Sequence, residues 1–263
     1  MNWLDLTTTA LRYDLQGNGP ATLVLVHEMG GTLESWDQVL PALLPGRRIL
    51  RYDTRGAGQS EKARGTLTFP TMAADIAGLL DALNIQGPVA LAGCAVGAGI
   101  ALTFAGTYPE RTTAVVAMAP ATGMPPERRD AVLTRVAALE AATMRDAVED
   151  SFASSYPPEV RHDPEQYRIF RARWLANDPA SYATIYRMLV HADMTETFSR
   201  ITCPVLTLAG THDKLRPPPV VQPIAAQIPG AHFEPIESGH FMAVQTPILV
   251  AEAINNFLRP IEK

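Results

Sequence analysis

The chain has 263 residues, 47% of them hydrophobic, which is enough to bury the core of one large domain with an insertion. Its formal net charge is −5, with arginines scattered among acidic residues, and this excludes an electrostatic footprint for nucleic acid. The two cysteines, Cys94 and Cys203, form no C-x-x-C pair and no His/Cys cluster, so the pattern predicts neither a disulfide framework nor a metal site.

Short apolar runs alternate with longer amphipathic runs as far as about residue 120. This alternation predicts an α/β protein in which the strands of a mostly parallel sheet are joined by crossover helices. Buried strands are predicted at residues 22–26, 48–52, 89–92 and 114–118, with an antiparallel edge strand at 9–15. Helices are predicted between them at residues 33–44, 71–83 and 96–107.

The alternation of strand and helix patterns stops between about residues 122 and 200, where helical patterns follow one another without a convincing strand. Helices are predicted here at residues 127–142, 145–154, 164–176 and 180–189. The earlier pattern then resumes with a strand at 204–209, a helix at 218–227, a strand at 232–236 and a helix at 247–258. We therefore predict a core domain formed by residues 1–120 and 201–263 and a helical cap formed by residues 121–200.

A glycine-spaced turn, residues 93–97 (Gly-Cys-Ala-Val-Gly), lies directly between a predicted strand and a predicted helix. It has the spacing of the G-x-S-x-G turn of hydrolases, with Ala95 in the position of the nucleophilic serine. Such a turn is strained, and the residues two before and two after its centre must be small, as Gly93 and Gly97 are. Cys94 is the alternative nucleophile, of a Cys-His-Asp enzyme, but that register puts the β-branched Val96 where a glycine is wanted.

Five landmarks in chain order resemble the α/β-hydrolase superfamily, and the resemblance extends over essentially the whole chain. They are residues 27–31 (His-Glu-Met-Gly-Gly), 53–60 (Asp-Thr-Arg-Gly-Ala-Gly-Gln-Ser), 93–97, 210–213 (Gly-Thr-His-Asp) and 238–240 (Ser-Gly-His). The resemblance implies the α/β-hydrolase fold, a mostly parallel sheet flanked by helices with a helical cap insertion. Chain length, the single cap and the run Arg-Tyr-Asp-Thr-Arg-Gly at residues 51–56 are similar to the 3-oxoadipate enol-lactonase group and related small ester and lactone hydrolases.

The family order of nucleophile, acid and histidine implies catalytic positions at Ala95, Asp213 and His240. Asp213 follows a predicted strand, so it is expected at the carboxyl end of the sheet, where it would orient His240. A histidine suits this role because imidazole titrates near neutral pH and can exchange a proton in each turnover. The backbone N–H groups of Val96 and Met29 are the expected oxyanion hole.

Two features leave alternatives open. Glu28 stands where the family has glycine, and either makes a structural contact, which we favour, or touches substrate. In the predicted cap, aromatic residues at helical spacing favour packing, and neighbouring arginines favour a solvated face, although one arginine could bind a substrate carboxylate. The aromatic residues are Tyr167, Phe170 and Trp174, and the arginines are Arg168, Arg171 and Arg173.

The methyl group of Ala95 cannot attack a carbonyl, so no acyl-enzyme can form through this residue. We favour a Ser-His-Asp hydrolase of a small carbonyl substrate, an ester, enol-lactone or related C–O, C–N or C–C bond, whose serine has been changed to alanine to give an inactive variant. One alternative is a native alanine enzyme in which the His240–Asp213 pair activates water or abstracts a proton, as a lyase, cofactor-free oxygenase or hydrolase. Another is a non-catalytic protein that binds a small ligand.

The expected partner is a small-molecule substrate, with no cofactor, nucleic acid or membrane. Residues 1–5 lack the basic and apolar regions of a secretory signal, and no uninterrupted apolar run approaches the length of a bilayer span. With two isolated cysteines, this makes the reducing cytoplasm the expected location. Exposed cap helices often mediate pairing, so a homodimer stays open.

Overall fold

An eight-stranded sheet lies at the centre of the structure, a computed structural model that describes residues 2–262. The strands are β1 (Asn2–Leu6), β2 (Thr9–Gln16), β3 (Ala21–Val26), β4 (Arg47–Tyr52), β5 (Val89–Cys94), β6 (Thr112–Met118), β7 (Val205–Gly210) and β8 (His232–Ile236). Their order across the sheet is β1-β2-β4-β3-β5-β6-β7-β8. The β1–β2 and β2–β4 pairs are antiparallel and every other pair is parallel, which confirms the predicted mostly parallel sheet.

Helices cover both faces of the sheet, and alternate residues of each central strand face opposite layers. Val24 and Val26 of β3 pack with the helices of one layer, whereas Leu23 and Leu25 pack with those of the other. The first layer contains α2 (Phe69–Ala82) and α3 (Val96–Thr107), and the second contains α1 (Leu40–Leu43) and α11 (Pro247–Leu258). Burial on both faces explains why the central strands are continuous apolar runs in the sequence.

A block of helices lies between β6 and β7. It consists of α4 (Pro126–Glu140), α5 (Met144–Ser155), α6 (Pro164–Leu175), α7 (Pro179–His191) and the short α8 (Thr195–Ser199). The remaining helices, α9 (Pro218–Ala225) and α10 (Met242–Gln245), follow β7 and β8. Among residues 2–262, no helix has both the length and the apolar character that crossing a bilayer requires.

The predicted helix at residues 33–44 is wrong. The structure has a short 3-10 helix at Leu33–Trp36 and then α1, with a break between them. Pro41 explains the break, because a proline has no N–H to donate and its ring would clash with the carbonyl four residues earlier in a continuous helix. Strand β1 was not predicted, since it is a half-exposed edge strand held by its hairpin with β2.

The turn at residues 93–97 joins β5 to α3 through a left-handed residue. Ala95 has φ +51° and ψ −113°, outside the regions that L-amino acids ordinarily occupy. A Cβ on Gly93 would lie 2.3 Å from the carbonyl oxygen of Gly97, and a Cβ on Gly97 would lie 2.3 Å from that of Val26. Both glycines are therefore required by backbone contacts, as the sequence pattern predicts.

We expect Gly97→Ala to lower the free energy of unfolding by about 1–3 kcal/mol, because the added methyl meets backbone at the end of β3 and cannot be relieved by a side-chain rotation. Gly87→Ala is the matched control, since a Cβ at Gly87 has no neighbour within 4 Å. Chemical denaturation of both variants provides the measurement. Equal stability of the two variants would contradict the packing argument.

Candidate active site

Four of the residues predicted for the site line one cavity at the carboxyl ends of the parallel strands. Met29, Ala95, Val96 and His240 all contribute to this cavity, whose volume is about 670 Å³. Ala95 and Val96 follow β5, and Met29 follows β3, so the strand ends bring the loops together at one edge of the sheet. Asp213 does not line the cavity but lies behind His240.

The side chains of His240 and Asp213 are joined by a short hydrogen bond. His240 Nδ1 lies 2.7 Å from Asp213 Oδ2, and both residues are buried. A carboxylate accepts, so Nδ1 carries the hydrogen and Nε2 is left without it in the neutral ring. The pair therefore has the geometry of an imidazole base held by a carboxylate.

The other oxygen of Asp213 anchors its own loop. Oδ1 accepts hydrogen bonds from the backbone N–H groups of Leu215 (2.7 Å) and Arg216 (2.9 Å). Burial alone would raise the pKa of Asp213, but the charge and hydrogen bond of His240, together with these two N–H groups, outweigh burial and lower the pKa. Asp213 is thereby kept ionised beside the imidazole.

Among residues 2–262, the backbone N–H groups expected to form the oxyanion hole donate to no other protein group. Val96 is the first residue of α3, where a helix offers no acceptor for the N–H group. Within residues 2–262, the N–H of Met29 likewise donates to no other group. The loop of Met29 is held by His27, whose Nε2 accepts from the N–H of Thr54 (2.9 Å) and whose Nδ1 lies 2.7 Å from the carbonyl oxygen of Glu28.

Glu28 makes a structural contact and does not line the cavity. Its side chain is fully buried, and Oε1 accepts a 2.6 Å hydrogen bond from Ser35 Oγ. The Glu28 side chain also leaves no room for a side chain at position 31, because a Cβ on Gly31 would lie 2.1 Å from Glu28 Oε1. Of the two interpretations left open by the sequence, the structural contact matches the geometry.

Cys94 lies within the turn but outside the cavity. Its thiol is fully buried among apolar side chains, and Sγ donates to the backbone carbonyl oxygen of His240 at 3.3 Å. Burial raises the pKa of this thiol, and the charge of Glu28 raises it further. Such an environment does not suit a nucleophilic thiolate.

The helical block forms the wall of the cavity that faces the strand ends. Trp174 of α6 lines the cavity and packs against the Met29 loop, where a Cβ on Gly30 would lie 2.5 Å from the indole ring. Phe170 packs inside the block, as its spacing predicts, and Tyr167 lies against the same aromatic cluster. Among residues 2–262, no group of three or more His, Cys, Asp or Glu side chains is arranged to hold a metal ion.

The cap arginines considered from the sequence do not enter the cavity. Arg168 pairs with Glu165, Arg171 with Glu149, and Arg173 reaches Asp37 at 3.8 Å. These pairs lie on solvated surfaces, as expected.

Sequence reasoning missed Arg216, which lines the cavity together with Arg128 and Arg135. The available signal was its position three residues after Asp213, on a loop that follows a strand. This spacing brings a side chain to the same edge of the sheet as the acid.

Comparisons with known proteins identify the fold family of the chain. Residues 21–247 match the family model described as alpha/beta hydrolase fold. The chain is 26% identical to 3-oxoadipate enol-lactonase 1 of Acinetobacter baylyi over 252 residues, covering 94% of this chain and 93% of the relative.

Two solved structures are similar along nearly their full length. One is the enol-lactonase of Burkholderia xenovorans LB400, with a TM-score of 0.90, 25% identity and coverage of 98% of this chain and 100% of that chain. The other is a thermophilic esterase from Thermogutta terrifontis, with a TM-score of 0.89, 25% identity and coverage of 97% and 95%. With the match to the family model, these similarities show that the chain belongs to the α/β-hydrolase fold family.

Proposed function

We propose that this protein is a hydrolase of small esters or lactones that uses a Ser-His-Asp mechanism, with position 95 as the nucleophile position, and that Ala95 leaves it inactive. The observation that carries the proposal is the His240–Asp213 pair, whose imidazole faces the same cavity as Ala95 and Val96. The relatives named enol-lactonase and esterase support the choice of substrate class.

A serine at position 95 would complete the reaction. Its Oγ attacks the substrate carbonyl while His240 Nε2 takes the hydroxyl proton, and ionised Asp213 stabilises the imidazolium. The N–H groups of Val96 and Met29 donate to the oxyanion of the tetrahedral intermediate. Collapse expels the alcohol, which receives the proton from His240, and water then hydrolyses the acyl-enzyme by the same two steps.

The size and walls of the cavity support a small substrate. A volume of about 670 Å³ lies within the usual range for small-molecule sites. Its walls include Val136 and Leu139 of α4 and Trp174 of α6. Residues 121–200 would therefore act as a cap that covers the acyl group and excludes water from the reacting atoms.

We expect Ala95→Ser to raise kcat/KM for p-nitrophenyl acetate by at least about 1,000-fold over the chain with Ala95, because it supplies the missing nucleophile beside His240. Ala147→Ser is the matched control, since it adds a hydroxyl to the wall of the same cavity that α5 forms, away from the turn. The absorbance of released p-nitrophenol gives the rate for p-nitrophenyl acetate. The rates of hydrolysis of a panel of lactones are measured in the same variants.

No gain from Ala95→Ser on any of these substrates would refute the serine-hydrolase proposal. The chain with Ala95 could itself hydrolyse these substrates and lose this activity in the His240→Ala variant. That result would instead identify water activation by the His240–Asp213 pair.

In the Ala95→Ser background, we expect Asp213→Asn to lower kcat about 1,000-fold or more with little change in KM. The amide cannot stabilise the imidazolium and can hold the ring in the wrong tautomer. Asp150→Asn is the control, because this exposed carboxylate lies at the rim of the same cavity. Similar losses in the two variants would show that Asp213 has no special role.

A further inference from the structure

Arg216 brings a positive charge into the cavity beside the His240–Asp213 pair. Its side chain lines the cavity, and its backbone N–H donates to Asp213 Oδ1 at 2.9 Å. Within the described residues, 2–262, the guanidinium donates one hydrogen bond, from Nη2 to the carbonyl oxygen of Gly123 at 3.3 Å. A guanidinium has five N–H donors, so most of its hydrogen-bonding capacity is not used by protein groups.

Arg216 is half-buried, and the three arginines that are more deeply buried among residues 2–262 have carboxylate partners. Arg12 pairs with Asp53 and Glu34, Arg47 with Glu262, and Arg51 with Asp14 and Asp37. These pairs follow the rule that a desolvated charge needs a countercharge.

Within residues 2–262, Arg216 forms no such ion pair. The nearest carboxylate in the sequence, Asp213, is occupied by His240 and by backbone N–H groups. Burial lowers the pKa of Arg216, although an arginine stays protonated in proteins. The charge is therefore partly desolvated, and the nearby charge of Asp213 offsets the effect of burial only in part.

The remaining charged groups of the cavity do not neutralise Arg216. Arg128 also lines the cavity and adds a like charge. Asp150 is exposed and lies 3.8 Å from Arg135, and Asp146 accepts hydrogen bonds from Thr143 at the start of α5. Both aspartates therefore have partners of their own at the rim.

We propose that Arg216 is a specificity-determining residue that binds a carboxylate group on the substrate, so that the preferred ester or lactone is singly anionic. A planar guanidinium binds a carboxylate through two parallel hydrogen bonds and so orients the molecule as well as holding it. Because Arg216 and His240 lie in one cavity, the bound carboxylate would fix the distance from the anionic end of the substrate to its reacting carbonyl. This assignment rests on the proposed function only for the identity of the reacting bond.

Binding tests the proposal without any turnover. Isothermal titration calorimetry of the chain with Ala95 compares monomethyl glutarate, which carries one carboxylate, with dimethyl glutarate, which carries none. We expect the monoester to bind at least about 10-fold more tightly, and Arg216→Met to weaken its binding by about 10- to 100-fold while changing that of the diester little. Arg168→Met is the matched control, because it removes an exposed arginine outside the cavity.

Equal affinity for the two esters in the unmodified chain would overturn the proposal, and this result needs no variant to fold. So would an Arg216→Met variant that retains the preference for the monoester. Arg216→Lys separates charge from geometry, and we expect it to keep only part of the preference, since an ammonium cannot form the two parallel hydrogen bonds.

A kinetic experiment distinguishes this proposal from the proposed function. In the Ala95→Ser variant, we expect kcat/KM for mono-p-nitrophenyl glutarate to exceed that for p-nitrophenyl butyrate, with the advantage lost in Arg216→Met. If the Ala95→Ser variant hydrolyses both substrates equally, the proposed role of Arg216 is wrong and the proposed hydrolase function is supported. If the variant hydrolyses neither substrate while the monoester still binds more tightly than the diester, the proposed hydrolase function is wrong and the carboxylate site at Arg216 is supported.

Discussion

The left-handed backbone of Ala95 is the constraint on which the arrangement of the site depends. Positive φ with this ψ costs an alanine on the order of 1–3 kcal/mol, so the surrounding structure must impose it. Ala95 N–H donates to the carbonyl oxygen of Met118, and its own carbonyl accepts from the N–H of Ala121. These bonds tie the turn to the end of β6, while Gly93 lets β5 approach α3 and Gly97 lets α3 approach the end of β3 without an intervening Cβ.

Asp213 is the second organising group, because its two oxygens hold two different parts of the site. One oxygen orients His240, and the other holds the loop on which Arg216 stands. The helical block is joined to the same groups, since the carbonyl oxygen of Ser155, at the end of α5, accepts from the N–H of His240 at 3.3 Å. Movement of α5 would therefore change the position of the His240 backbone.

The strands and the long helices could be predicted because their signal is local. A strand buried on both faces must be apolar throughout, and Gly93 is required by its contact with the backbone of Gly97, four residues later. The failures have different physical causes. Edge strand β1 is half-exposed and therefore weakly patterned, and Pro41 interrupts a helix whose apolar spacing alone looks continuous. Arg216 could not be separated from the cap arginines, because tertiary contacts decide which arginines face the cavity and which pair with carboxylates on the surface.

Three features of the site lower the stability of the folded chain when each is considered alone. They are the strained backbone of Ala95, the burial of the Asp213 carboxylate before its hydrogen-bond partners are counted, and the partly desolvated guanidinium of Arg216. A protein that only had to fold would be more stable without them, and a binding protein would need Arg216 but neither the strained turn nor the imidazole–carboxylate pair. The proposed hydrolase uses all three, since the strained turn presents a nucleophile, Asp213 maintains the base and Arg216 orients the substrate. With alanine at position 95, the reacting oxygen of the proposed mechanism is absent, but the three destabilising features are still present. We therefore assign the geometry of the turn to a serine site.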